Sequence, residues 1–354
     1  METKVYYVIG VMSGTSLDGI DLAYVQLIKS ENWDYRFLKT QTLPYSETWK
    51  EKLREAPLFS SEKLMELNTE YTGLLAEMIS DFIEKNDIET LDAVCSHGHT
   101  VFHQPEKGVT LQIGNLPSLT ENLQQTVICD FRKQDVEMGG QGAPLVPIGD
   151  KLLFPKYDFC LNLGGFANLS TEKNGKRIAY DICAVNTVLN FYAKKLGFEY
   201  DENGELAASG KIDHQLLKHL NDLSFYKKKA PKSLGIEWVK AEIFPLFEKS
   251  NLSETTILAT FTEHVAQQIA QSIGNAPNKK CLCTGGGIYN KFLMESVQKY
   301  TETRLVIPDK DLVEFKEALI FGLLGILKLR NEINVLQSVT GAKNDHSSGV
   351  VWRV

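Results

Sequence analysis

The chain lacks an apolar run long enough to cross a bilayer. The longest, Ala318 to Leu327, falls short of the ~20 residues that a membrane helix needs, and it reads as a buried helix. A basic excess is also missing. Lys and Arg number 38 against 45 Asp and Glu, for a formal net charge of −7. Non-specific nucleic-acid binding needs a basic surface, so no nucleic-acid partner is expected. An anionic small molecule stays compatible, because one basic pocket is enough. Cysteine pairs of the C-x-x-C type are absent. The six cysteines, Cys95, Cys129, Cys160, Cys183, Cys281 and Cys283, sit mostly in apolar, strand-like stretches. That pattern predicts reduced, buried thiols in a cytoplasm and argues against a disulfide framework or a zinc site. Cys183 has one alternative, a nucleophile close to Asp181, but no histidine lies near it in sequence. No targeting pattern precedes the first strand, which Met1-Glu2-Thr3-Lys4 enters directly.

What is present begins at Val8-Ile-Gly-Val-Met-Ser-Gly-Thr-Ser-Leu-Asp-Gly-Ile-Asp21. Val5 to Val11 and Ile20 to Ile28 have strand composition, and the small-residue loop between them predicts a hairpin. Gly14, Thr15 and Ser16 offer N–H groups and hydroxyls of the kind that cradle phosphate. Asp18 and Asp21 offer hard oxygens of the kind magnesium takes. The other reading of this loop is a turn whose Ser and Asp bond their own backbone.

Tyr35 to Thr42 predicts a third strand, followed by a helix from about Glu62 to Lys85 in which Gly73 is a candidate break. Leu91 to Cys95 predicts a short buried strand that ends in Ser96-His97-Gly98-His99-Thr100-Val101-Phe102-His103. Three histidines invite zinc, but no carboxylate or cysteine completes a ligand set. A polar cluster that bonds a ligand or a loop is the expectation. Arg132, after the strand Thr126 to Cys129, could clamp a carboxylate or phosphate bidentately. It could equally form a surface ion pair with Asp130 or Asp135. Met138 to Pro144 is glycine-rich and is the candidate hinge, with a helix from Pro144 to about Phe154. The length fits two domains, and we place them at 1–142 and 143–354.

The order strand, glycine loop, strand, turn, strand then recurs. Phe159 to Leu163 leads into Gly164-Gly165-Phe166-Ala167-Asn168, Asn174-Gly175 is a hairpin turn, and Arg177 to Ile182 returns. Asp181 closes that third strand. Its two readings are a base and a cap for the helix predicted from Asn186 to Leu196. A third glycine loop, Gly285-Gly286-Gly287, follows the strand Lys280 to Cys283 and precedes a helix, a unit that lets a ring or phosphate approach the backbone. The tail from Asn344 to Gly349 reads as exposed.

Three glycine loops, each after a strand, resemble the actin-like ATPase and hexokinase superfamily. The wording resembles one member family more closely, the anhydro-N-acetylmuramic acid kinases. The phrases are I-G-V-M-S-G-T-S-L-D-G-I-D, S-H-G, L-Q-I-G, D-F-R-K-Q-D, G-G-Q-G-A-P-L-V-P, L-N-L-G-G-F-A-N-L-S, C-T-G-G-G-I-Y-N and E-A-L-I-F-G-L-L-G, and they run from residue 8 to about 342. The resemblance implies an α/β fold of two lobes of the ribonuclease H-like type. Each lobe would carry a mixed sheet flanked by helices, with ATP in the cleft between them. It implies ATP and Mg2+ as cofactors and an amino sugar as partner. A homodimer is what the family suggests, with no membrane association. It implies that water opens the 1,6-anhydro bridge and that the freed 6-hydroxyl takes the γ-phosphoryl group, giving N-acetylmuramic acid 6-phosphate.

By the same resemblance Gly14, Thr15, Ser16, Leu17, Asp18, Gly19, Ile20 and Asp21 form the first phosphate loop, with Asp18 on the metal. Gly164, Gly165 and Asn168 belong to the second, and Gly285, Gly286 and Gly287 line the adenine side. Asp181 matches the catalytic base, and His97 and Arg132 the sugar site. The chain departs from the family where D-T-G-P-G-N becomes Asp181-Ile182-Cys183-Ala184-Val185-Asn186. S-H-G-Q-T becomes Ser96-His97-Gly98-His99-Thr100, and Q-I-G-D becomes Gln112-Ile113-Gly114-Asn115. Two other readings remain at this stage: a sugar kinase that opens no ring, and a nucleotide or sugar sensor without turnover.

Overall fold

The computed structural model describes residues 2–14 and 17–354, and the chain divides into two units. Unit 1 runs up to Phe154 and takes in Phe315–Val354; unit 2 is Pro155–Glu314. This differs from the expected boundary at 142/143. The last forty residues return to the first unit, and the glycine-rich stretch from Met138 to Pro144 lies inside it. That stretch therefore does not link the two units. The chain passes between units at Phe154/Pro155 and at Glu314/Phe315.

Unit 1 is built on β1 (Lys4–Ser13), β2 (Gly19–Lys29), β3 (Trp33–Pro44), β4 (Ala93–Gln104), β5 (Val109–Ile113) and β6 (Val127–Cys129). The spatial order is β3-β2-β1-β4-β6, with β5 also paired to β4. The first three strands form an antiparallel meander, and β4 and β6 run parallel to β1 and to each other. A last short strand of the chain, Val350–Trp352, adds antiparallel to β6.

Unit 2 repeats this order. Its strands are β7 (Phe159–Leu163), β8 (Phe166–Lys173), β9 (Lys176–Ala184), β10 (Lys280–Thr284) and β11 (Arg304–Val306), arranged β9-β8-β7-β10-β11. Again the first three are antiparallel and the last two parallel. Both units therefore have the mixed, ribonuclease H-like sheet that the resemblance implied. The Asn174-Gly175 turn joins β8 to β9 with both residues at positive φ, as that dipeptide favours.

Helices cover the sheets where apolar residues recur at helical spacing. Helix α1 (Ser61–Lys85) starts on Ser60, whose hydroxyl accepts from the Lys63 amide at 3.3 Å. Leu67, Tyr71, Leu75, Ile79 and Phe82 bury one face against Ile9, Val11, Leu22 and Val94. The helix is continuous through the candidate break at Gly73. Helices α2 (Val146–Leu153), α3 (Asn186–Lys195), α4 (Glu254–Ile273), α5 (Lys291–Lys299) and α6 (Lys310–Leu329) follow. Among the described residues no helix is long and apolar enough to cross a membrane.

One very close approach joins β1 to α6. A Cβ on Gly10 would lie 1.8 Å from the Ala318 carbonyl oxygen, so strand and helix backbones touch there. Gly10→Ala should lower the free energy of unfolding by about 3 kcal/mol, the scale of a strained core insertion. Urea denaturation measures this, and an unchanged midpoint would contradict the contact.

Candidate functional site

In unit 1 the first glycine loop spans the turn from β1 to β2. Thr15 and Ser16 lie outside the described residues. Around them the Leu17 amide donates to the Gly14 carbonyl at 3.4 Å, and Leu17 holds φ at 62°. A Cβ on Gly19 would sit 2.3 Å from the Leu43 carbonyl oxygen, so this glycine serves packing against β3. The Ile20 side chain belongs to the core. Asp18 is exposed, and Asp21 accepts from the Thr42 hydroxyl at 2.6 Å. Among the described residues no group of three or more His, Cys, Asp or Glu could hold a metal ion. Magnesium commonly takes only one or two protein carboxylates and keeps its waters. Asp18, with Asp21 beside it in sequence, fits that mode of binding.

The three histidines lie within β4, not in a loop after it, and each has a separate role. The His99 Nδ1 lies 2.9 Å from the Ser13 hydroxyl, which is 2.7 Å from Tyr45 Oη. Tyr45 in turn bonds Tyr71. Burial pulls His99 down to about 4, so it is neutral near pH 7. The His103 Nδ1 lies 3.1 Å from the Thr110 hydroxyl. His97 faces Arg132, whose Nε donates to His97 Nε2 at 2.8 Å. The other nitrogen, Nδ1, then carries the proton and donates to the Gly98 carbonyl at 2.8 Å. Burial, with the Arg132 charge beside it, holds His97 well below its ordinary range.

Arg132 forms no ion pair with Asp130 or Asp135. Its Nη1 donates to the Gly142 carbonyl at 2.7 Å, and Nη2 makes no hydrogen bond among the described residues. Both partners are neutral acceptors, so the positive charge is oriented without being cancelled. Burial lowers its pKa to about 10, opposed by Glu317 and Asp135. Glu317, on α6, was missed by the sequence reading. Burial raises its carboxyl, Arg132 and Lys316 pull it down, and Asp21 pushes it up again. The signal was available in the E-A-L-I-F-G phrase but carried no chemistry on its own. Unit 1 thus gathers Arg132, His97, Glu317 and Asp21.

In unit 2 the second and third glycine loops come together at the end of β7. A Cβ on Gly285 would lie 2.6 Å from Asn162 Oδ1, and one on Gly287 would lie 2.8 Å from the Leu163 Cβ. The space beside Gly286 is open. The Gly165 carbonyl accepts from the Val185 and Thr187 amides at 2.8 and 3.2 Å, and the Gly164 carbonyl from Asn186 at 3.3 Å. This ties the second loop to the start of α3.

Asp181 lies within β9, directly across from Asn168 on β8. Its carboxylate does not cap α3, whose N-cap, Val185, makes no side-chain bond. Asp181 Oδ2 instead accepts from the Leu234 amide at 2.8 Å, and its own amide donates to the Lys232 carbonyl at 2.9 Å. Burial raises the Asp181 carboxyl, partly offset by the Leu234 N–H. Ile182, Cys183, Ala184 and Val185, where the family writes a Gly-Pro turn, are all buried in the core. Cys183 is pushed up by burial and stays a thiol, which does not suit a nucleophile.

The raised Asp181 carboxyl has a sign for stability. Between the unfolded and the folded pKa the native state binds more protons, so stability falls as pH rises through that window. Above it the ionised carboxylate is a net cost to the fold. Asp181→Asn should therefore melt at or above the wild-type temperature at pH 7. Calorimetry checks this, and a fall of several degrees would contradict it.

The family model for "Anhydro-N-acetylmuramic acid kinase" matches residues 6–353. The anhydro-N-acetylmuramic acid kinase of Sulfurimonas denitrificans is 32% identical over 98% of this chain and 99% of its own. That of Pseudomonas fluorescens is 34% identical, covering 97% and 98%. That of Haemophilus influenzae is 31% identical, covering 99% of each.

Proposed function

Because the chain belongs to the anhydro-N-acetylmuramic acid kinase family, whose members are phosphotransferases with an alcohol acceptor, we propose that it opens 1,6-anhydro-N-acetylmuramic acid with water and phosphorylates the freed 6-hydroxyl. The observation that carries this reading is Asp181. It is a partly buried carboxylate with a raised pKa, set across from Asn168 in the sheet whose β7 end holds two glycine loops. Raised carboxylates that lack a charge partner suit proton transfer.

In this mechanism Asp181 takes a proton from water as the water oxygen bonds the anomeric carbon. The bond from that carbon to O6 breaks, and its electron pair stays on O6. O6 then bonds the γ-phosphorus of ATP, and ADP leaves. One water and one ATP are consumed for each N-acetylmuramic acid 6-phosphate formed. Phosphoryl transfer depends mainly on positioning and charge neutralisation. The first glycine loop, Gly14 to Asp21, and the Gly165 N–H suit the phosphates, Gly164 and Asn168 belong with the second loop, and Gly285 to Gly287 suit the adenosine. Asp18 would hold magnesium, which supplies charge neutralisation at the phosphates. His97 orients Arg132, whose Nη2, without a hydrogen bond among the described residues, suits the lactyl carboxylate of the sugar or the transferring phosphate. A homodimer and a cytoplasmic location belong to the same reading.

The buried replacement of the Gly-Pro turn after Asp181 keeps a second reading in play, a binding protein without turnover. Product mass after incubation with ATP, magnesium and the anhydro sugar separates them. A gain of water plus one phosphoryl group is expected, a gain of phosphoryl alone indicates a kinase that opens no ring, and no product indicates a sensor.

Asp181→Asn should abolish ring opening and phosphorylation together, by on the order of 10²–10⁴-fold or more. Binding of a non-hydrolysable ATP analogue should survive, and retained turnover would remove Asp181 from the base role. Arg132→Lys keeps the charge but loses the planar fork. It should raise the KM for the anhydro sugar by about tenfold, the scale of one charge-assisted bond. Wild-type kinetics would place Arg132 outside the site.

A further inference from the structure

The loop that carries Arg132 is held from the far end of the chain. Asp135, three residues on, is fully buried at 0% exposure. A buried carboxylate is costly unless its oxygens accept hydrogen bonds. Here Oδ2 accepts from the Gly142 amide at 2.6 Å, and Oδ1 accepts from the Thr340 hydroxyl at 2.7 Å. His346 Nε2 stands 3.6 Å from the same Oδ1. Gly140 packs so closely that a Cβ would lie 2.2 Å from Oδ2.

The tail grips the same loop through further bonds. The Gln141 amide donates to the Thr340 carbonyl at 2.8 Å, and the Lys343 amide to the Met138 carbonyl at 3.2 Å. The Ser348 hydroxyl donates to the Phe131 carbonyl at 2.6 Å. The stretch expected to be exposed therefore has His346 and Ser348 buried against the loop.

Gly142 links this brace to Arg132. Its amide is fixed by Asp135, and its carbonyl accepts from Arg132 Nη1 at 2.7 Å. It sits at φ +66°, where side chains are disfavoured, so the residue is committed to this one backbone shape. Loss of the Asp135 grip would free the carbonyl that, with His97, aims the guanidinium.

We propose that Asp135 and Thr340 are positioning residues for Arg132, so that the C-terminal segment is part of the anion-binding apparatus of unit 1. This rests on the reading of Arg132 as the clamp for the anionic substrate. Neither residue touches substrate; each acts through Gly142.

The test uses the full chain and four variants: Asp135→Asn, Thr340→Val, Thr340→Ser and Arg132→Lys. Calorimetric titration gives the affinity of each for 1,6-anhydro-N-acetylmuramic acid and, separately, for ATP, and melting temperature reports the fold. Asp135→Asn and Thr340→Val should bind the sugar about tenfold more weakly, the scale of one lost hydrogen bond, with ATP affinity unchanged. Thr340→Ser keeps the hydroxyl and should restore sugar affinity. The Val and Ser pair carries the test if Asp135→Asn does not fold. Wild-type sugar affinity in Thr340→Val, with weak binding in Arg132→Lys, would overturn the positioning role and leave the clamp standing. A joint fall of sugar affinity, ATP affinity and melting temperature without rescue by serine would also overturn it, because the role would be merely structural. Wild-type sugar binding in Arg132→Lys would overturn the clamp, and the positioning role with it.

Discussion

The backbone contact between Gly10 and Ala318 sets the geometry of unit 1. A strand and a helix can touch at that distance only where no Cβ intervenes. The same helix lies against β4 at Gly325, where a Cβ would stand 2.2 Å from Cys95 Sγ. With α6 seated so deeply, Phe321 lies under the His97 ring at 4.8 Å between centroids. Glu317, one turn earlier, comes within electrostatic reach of Arg132 and Asp21. The polar groups of the unit are thus placed by an apolar packing decision made elsewhere in the sheet.

A second theme is the use of neutral acceptors around charge. A carboxylate bonded directly to the Arg132 guanidinium would neutralise it, and an exposed arginine would be screened and mobile. His97 and the Gly142 carbonyl fix the direction of the guanidinium and leave its charge intact. The ring can do so only as the neutral tautomer, which burial enforces. Asp181 follows the opposite logic. Burial raises its proton affinity, the Leu234 amide offsets this only in part, and among the described residues no cation pairs with it.

Much of the architecture was legible in local pattern. Strand-length apolar runs, the Asn174-Gly175 turn and the helical spacing of Leu67, Tyr71, Leu75 and Phe82 each encode their element within a few residues. What stayed hidden depends on partners far apart in sequence. Thr340 and Asp135 are separated by 205 positions, Ser348 and Phe131 by 217, and no periodicity records such pairs. The glycine stretch from Met138 to Gly142 looked like a hinge because glycine suits both flexible and tightly packed backbone. Here Asp135 supplies the packing. The histidines of β4 looked like a loop because Ser, Gly and His are weak strand formers, yet pairing with β1 and β5 carries the strand through them. His97 and Arg132 were named from the sequence, whereas their mutual bond came only from the fold.

The cysteines carry a practical consequence. All six are buried, and burial pushes Cys95, Cys129 and Cys183 up, away from the reactive thiolate. Reagents that modify thiols attack the thiolate and need access to it; those three offer neither, and the other three are closed off by burial. The native protein is therefore a quiet background for labelling chemistry. A cysteine introduced on an exposed helix face would react ahead of the six natural ones, and a fluorophore or spin label could be attached there without first stripping the core of its sulfur.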